Sequence, residues 1–330
     1  MRYPLLVIIL TCFQGQGFAQ KIESTIEKLR PELDTIVSSD AAVEKIADGF
    51  IWCEGPLWVE SEKMLLFSDV PNNIIYKWTK QNGKETYLSP SGYTGTIKRS
   101  GETGSNGLLL NKKNQLILCQ HGDRKLALMN APLDKPAPIF LTLAAGYNGK
   151  KFDSPNDAAL RSNGDLYFTD PPYGLEKNVQ DPNKEAPYQG VYKLSVNGTI
   201  TLLTDTITRP NGIAFFPGEK RLLIANSDPN KPFWYVYDIA STGSLINGRI
   251  FYDATAASKT EPGMPDGLKI DEQGHVFASG PGGLWIFDAT GNVLGKIKVN
   301  SLVSNCYLSK DRTLYMTAHT MVVKVQLKNY

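Results

Sequence analysis

From about Ile46 onward, short runs of β-branched and aromatic residues alternate with Gly, Asn, Asp and Pro. Examples are Leu166-Tyr167-Phe168-Thr169, Gly190-Val191-Tyr192-Lys193-Leu194 and Trp234-Tyr235-Val236-Tyr237. This texture predicts strands joined by tight turns. The strands recur as a unit in which a polar residue opens an apolar strand that runs into a turn and a second strand. The unit starts at Glu54-Gly55-Pro56-Leu57-Trp58, Asn106-Gly107-Leu108, Asn156-Asp157-Ala158, Asn211-Gly212-Ile213, Asp266-Gly267-Leu268 and, more weakly, Asn305-Cys306-Tyr307, at spacings of 52, 50, 55, 55 and 39 residues. Four-stranded blades of about 40–50 residues are the signature of a β-propeller. Six starts predict an all-β, six-bladed β-propeller over residues 46–330. The strand Val43–Ala47 ahead of the first blade is expected to pair with Met321–Val325 near the chain end, closing the ring and removing its exposed edges.

Two N-terminal regions depart from this pattern. The apolar run Tyr3–Phe13 follows Arg2 and precedes Gly17-Phe18-Ala19. It reads as a cleavable secretory leader over residues 1–19, shorter than the roughly 20 residues of a membrane span. The expected product is secreted or periplasmic, with no membrane partner. Residues 20–45 read as a lead-in segment of mildly helical pattern, with Ile22, Ile26 and Leu29 spaced for one face and Pro31 interrupting it.

Composition adds little that is specific. Hydrophobic residues at 42% and charged residues at 21% describe a globular chain with a real core. The 35 basic and 33 acidic side chains leave a net charge of +2, which gives no footprint for a nucleic-acid partner. Removal of the leader would leave Cys53, Cys119 and Cys306, an odd set with no disulfide framework, each read as a small buried hydrophobe.

In a propeller the first strand of each blade lines the central channel, so equivalent positions converge on one ring. Here the ring is Glu54, Asn106, Asn156, Asn211, Asp266 and Asn305, all oxygen-bearing. Asn and Asp before Gly are also favoured turn residues, which accounts for Asn106-Gly107 and Asn211-Gly212 taken singly but not for Glu54. Carbonyl and carboxylate oxygens without clustered Cys or His suit a hard cation such as Ca²⁺. Antiparallel pairing brings the ends of the second strands to the same face. Those ends, at Asp69, His121-Gly122-Asp123-Arg124, Asp170–Gly174, Asn226-Ser227-Asp228, Gly280 and His319, are expected to form the walls. His275 falls on the opposite face. The segments 89–105 and 171–188 exceed tight hairpins and read equally as lids or as plain excursions.

Glu54-Gly55-Pro56-Leu57-Trp58, Phe67-Ser68-Asp69-Val70-Pro71, Pro90-Ser91-Gly92, His121-Gly122-Asp123-Arg124, Ser154-Pro155-Asn156-Asp157, Tyr167–Gly174, Arg209-Pro210-Asn211-Gly212 and Pro265-Asp266-Gly267, taken in order, resemble the gluconolactonase branch of the senescence-marker-protein/gluconolactonase family. The resemblance implies a divalent metal, usually Ca²⁺ with other divalent cations as alternatives, held by Glu54, Asn211 and Asp266, with Asn156 as a further ligand or substrate contact. It implies hydrolysis of a small-molecule lactone, such as glucono-1,5-lactone to its aldonic acid. Asp266 is the expected base or nucleophile, and Asn106, Asn156, His121, Arg124 and Tyr173 are the expected substrate contacts, with a mouth salt bridge such as Asp123 with Arg124 as the structural alternative for the charged pair. Gly95, where that branch commonly has Asn, and Lys125, where a second Arg is usual, depart from the pattern. The competing readings are ester or phosphotriester hydrolysis on the same metal and a secreted propeller that binds without catalysis. A serine hydrolase is not indicated, because no Gly-x-Ser-x-Gly elbow occurs.

Overall fold

The computed structural model describes residues 19–329; the predicted leader therefore lies, but for Ala19, outside the described residues. Among the described residues, six antiparallel sheets of four or five strands follow one another around an axis. Blade 1 runs through Cys53–Val59, Met64–Asp69, Ile74–Thr79 and Gly83–Leu88, and blade 2 through Ser105–Leu110, Leu116–Gln120, Lys125–Met129 and Phe140–Ala144. Blade 3 begins at Ala158–Leu160, blade 4 at Pro210–Phe215, blade 5 at Leu268–Ile270 and blade 6 at Asn305–Leu308. Blade 6 takes its fourth strand from Val43–Asp48, which pairs antiparallel with Met321–Gln326. The expected ring closure is present.

The second strand of each blade is buried along its whole length in Met64–Asp69, Leu116–Gln120, Leu166–Asp170 and Val276–Gly280. Both faces of these strands meet protein, which explains their unbroken apolar runs. The core is accordingly distributed between blades. Leu57, Leu66 and Ile75 pack against Leu108, Leu118 and Met129, while Cys119 and Leu126 pack against Phe152, Phe168 and Tyr192. Cys53, Cys119 and Cys306 are all buried free thiols, as expected.

The lead-in segment is a correction. Instead of a helix it forms two strands, Gln20–Lys21 on the edge of blade 6 and Ser24–Lys28 on the edge of blade 5, followed by a 3₁₀ turn at Pro31–Thr35. The spacing of Ile22 and Ile26 belongs to both periods, since four residues is two strand repeats as well as about one helical turn. Both pack on the core between blades 5 and 6, whereas Leu29, needed for the helical face, is exposed. Covering otherwise open outer edges favours the strand.

Candidate active site at the channel mouth

The polar residue that opens each blade is aimed at the axis by a local irregularity. In blade 1, Glu54 pairs with Ser68 and Leu57 with Leu66, so the first strand carries one residue more than its partner. The same extra residue occurs at Ser105–Leu108 and at Pro210–Ile213. In blades 3 and 5, Asn156 and Asp157 both face Thr169, and Asp266 and Gly267 both face Ser279. These are β-bulges, which bend a strand and re-aim its side chains. Blade 6 follows the same pattern one residue earlier, with Ser304 and Asn305 both facing Thr317.

The glycines after the ring residues are not turns. Gly107 donates its N–H to Asn156 O at 2.8 Å, and a Cβ at Gly212 would fall 2.3 Å from Asp266 O. Neighbouring blades approach so closely near the axis that a side chain has no room there. A belt of hydroxyls completes the junctions. Ser68 donates to Asn106 O, Thr169 to Asn211 O, Ser227 to Pro265 O, Ser279 to Ser304 O and Ser304 to Cys53 O. Each bond holds the backbone at or just before a ring residue of the next blade.

Glu54, Asn106, Asn156, Asn211 and Asn305 are buried, while Asp266 is partly exposed. Glu54 Oε2 accepts from Gly55 N and Asn305 Nδ2, both at 3.2 Å. Asn211 Nδ2 donates to Ser227 Oγ at 2.9 Å. Burial pushes the Glu54 carboxyl up to about 8, with its hydrogen bonds from Asn305 and Gly55 opposing and the charges of Glu102 and Asp157 adding to the rise. Burial, then the charges of Glu54, Glu102 and Asp157, hold Asp266 well above the usual carboxylate range. Tyr173 keeps its phenolic proton, through burial and the charge of Asp266, and is hydrogen-bonded to Ser227. The channel cation, Lys269, is bound instead to Leu268 O and lies 3.7 Å from Asp157. Neither Glu54 nor Asp266 has an ion-pair partner among the described residues.

This donor set fits a hard cation. Two carboxylates are held together with no ion-pair partner among the described residues, and the buried Asn106 Oδ1 has no hydrogen-bond partner. Among the described residues no three His, Cys, Asp or Glu side chains group to hold a metal, so a cation here would rely on amide oxygens beside the two carboxylates.

The comparisons agree with this geometry. Residues 52–320 match the family model described as the SMP-30/Gluconolactonase/LRE-like region. The chain is 37% identical over 317 residues to the gluconolactonase of Zymomonas mobilis, covering 92% of this chain and 86% of that protein. It is 25% identical over 252 residues to the pentonolactonase of Haloferax volcanii, covering 74% and 73%. The solved structure of a Xanthomonas campestris gluconolactonase superposes with a TM-score of 0.80 at 24% identity, covering 94% of this chain and 98% of that one. The chain belongs to the SMP-30/gluconolactonase/LRE-like family. It is a gluconolactonase-like enzyme.

Against that family's expected site, the structure brings Glu54, Asn106, Asn156, Asn211, Asp266, Asn305, His121 and Tyr173 to one end of the channel, with His121 Nε2 3.4 Å from Asn156 Nδ2. Arg124 is placed elsewhere. Its backbone is left-handed at φ 58°, and its guanidinium donates to Phe152 O at 2.6 Å and Asn183 O at 2.9 Å. The mouth ion pair of Asp123 is with Lys125, at 3.1 Å, not with Arg124. Asp69, Asp170 and Asn226 are not substrate-facing walls either. Each accepts backbone N–H from the loop that leads into the first strand of its own blade: Ile51 and Trp52, Asp153 and Ser154, and Arg209 respectively.

The two long segments are walls tied to each other. Arg99 donates to Gly122 O and Gly174 O, and Ser100 N donates to Glu176. The first of them also delivers Glu102, whose Oε2 lies 3.1 Å from His121 Nδ1. Sequence reasoning missed Glu102, because it sits in an irregular segment where no periodicity marks a facing direction. In the second, Lys184 Nζ reaches Asp153 at 2.6 Å and Tyr188 O at 2.9 Å. Asp153 is wholly buried, so Lys184→Met is expected to destabilise the fold by about 3–5 kcal/mol, the usual result of stranding a buried charge. Thermal denaturation, with proteolytic cutting between residues 171 and 188, checks this; an unchanged melting curve would show that the pair holds nothing.

Proposed function

We propose that this enzyme hydrolyses a sugar lactone, such as glucono-1,5-lactone, to its aldonic acid with a divalent cation, Ca²⁺ in the first place. The observation that carries the reading is the pair of carboxylates, Glu54 and Asp266, both raised chiefly by burial, Asp266 also by the charge of Glu54, with no ion-pair partner for either among the described residues. Glu54, Asn211, Asp266 and Asn156 would hold the ion. When bound, it supplies Lewis-acid polarisation of the lactone carbonyl.

The protein's own groups supply the rest. Asp266 takes a proton from the attacking water on a carboxylate oxygen, and returns it to the ring oxygen as the C–O bond breaks, so the acid and the new hydroxyl form without another reactant. Its raised proton affinity makes it a stronger base than an exposed aspartate. Asn106 Oδ1, buried and unpartnered, is an acceptor for a sugar hydroxyl. Tyr173 offers a hydroxyl beside Asp266. The segments 89–105 and 171–188 limit the access of bulk water.

Initial rates on aldonolactones, simple esters and a phosphotriester, each with and without chelator, test the reading. Chelator-sensitive turnover confined to the lactones supports it. Ester or phosphotriester turnover exceeding lactone turnover, or none on any substrate, overturns it. We also propose that the leader is removed after Ala19 and the enzyme acts in a periplasm or outside the cell. Intact mass of protein recovered from its native host checks this, and retention of residues 1–19 would reject it.

A further inference from the structure

We infer that Glu102 is a positioning residue which, through His121, holds the Asn156 amide with its carbonyl oxygen toward the channel axis. The inference rests on the reading of Asn156 as one of the oxygen donors of the ring.

His121 is completely buried, and although its Nδ1 makes no formed hydrogen bond, Glu102 Oε2 lies 3.1 Å from it and is the acceptor in reach. On the other side of the ring, Nε2 meets Asn156 Nδ2 at 3.4 Å. A neutral imidazole donates from one nitrogen and accepts at the other. A carboxylate only accepts, so the proton belongs on Nδ1 and the lone pair on Nε2. That lone pair requires an N–H, which the Asn156 amide supplies through Nδ2. The Oδ1 atom is then turned away from the histidine. An asparagine amide is nearly symmetric in shape, so its hydrogen-bond partners, not packing, select which end faces which way. Partners of this kind, one step removed from a ligand, orient ligands and tune metal sites.

Glu102 is fixed on both sides. Arg99 clamps Gly122 O and Gly174 O, and Gly104 N donates to Val70 O at 2.7 Å while its carbonyl accepts from His121 N at 3.1 Å. The backbone that carries the carboxylate is thus bonded to the backbone that carries the imidazole.

The test is two-bond ¹H–¹⁵N correlation spectroscopy of metal-free protein labelled at its three histidines, with His121 assigned by the loss of its signals in His121→Phe. The parent should show His121 protonated on Nδ1 alone. Glu102→Ala should move it toward the Nε2–H form and weaken Ca²⁺ binding, read by calorimetry, about 10–100-fold. Glu102→Gln, whose amide oxygen still accepts from Nδ1–H, should keep the tautomer and most of the affinity. A parent His121 protonated on Nε2, or on both nitrogens, overturns the inference, as does a Glu102→Ala variant with an unchanged tautomer and affinity. If Glu102→Ala does not fold, the parent and the Gln variant decide. Failure of the parent to bind Ca²⁺ with the predicted tautomer present would sink the proposed metal site and leave the orienting relay standing; the converse would do the reverse.

Discussion

Asp266→Asn is expected to lower lactone hydrolysis about 10²–10⁴-fold, the usual loss when a positioned general base is removed, and saturating Ca²⁺ should not restore it. The substitution keeps the size of the side chain and one neutral oxygen, and the bulge that aims it is made by backbone bonds between Asp266, Gly267 and Ser279. Glu54→Gln is the comparison. Glu54 is enclosed, with one oxygen taken by Gly55 N and Asn305, so its expected loss is in cation affinity and is recovered at high Ca²⁺. The assay is lactone hydrolysis over a Ca²⁺ titration for both variants. Near-parental rates for Asp266→Asn at saturating Ca²⁺ would reduce Asp266 to a ligand.

The metal-free enzyme should lose stability as pH rises from about 4.5 to about 8, and Ca²⁺ should cancel that loss. The sign follows from Glu54, whose carboxyl is raised from 4.5 to about 8, and from Asp266, raised by the same causes. In that window the folded state binds more protons than the unfolded chain, so the unfolding free energy falls with pH. Ca²⁺ competes with those protons and binds the folded state, adding about 2.7 kcal/mol at a hundredfold excess over its dissociation constant. The rise in Tm on adding Ca²⁺ should therefore be several degrees and larger at pH 8 than at pH 6. Equal shifts at the two pH values would separate the cation from these carboxylates, and no shift at either would remove it.

Much of the site was legible in one dimension because a propeller converts a sequence repeat into a ring. Glu54, Asn106, Asn156, Asn211 and Asp266 each open a blade, and equal phase along equal strands places them together. What repetition could not reveal is which polar residues serve the backbone. Asp69 and Asp170 stand one position before the phase of His121, level with Gln120, and like Gln120 they are taken up by loop backbone, while His121 reaches Asn156. Arg124 follows directly from a wall motif, but a left-handed backbone turns its guanidinium onto loop carbonyls.

The sequence by itself determined the strand texture, the six blade starts, the ring-closing pair and the oxygen ring, because each follows from a local period or from its repetition along the chain. Only the tertiary structure decided that residues 20–28 extend two blades as edge strands, that the Asn-Gly pairs are bulges pressed against the next blade, and that Glu102 joins the mouth. Each of these depends on contact between segments far apart in the chain. An open strand edge, a clearance too small for a Cβ and the facing of an irregular loop come into being only when the blades meet around the axis.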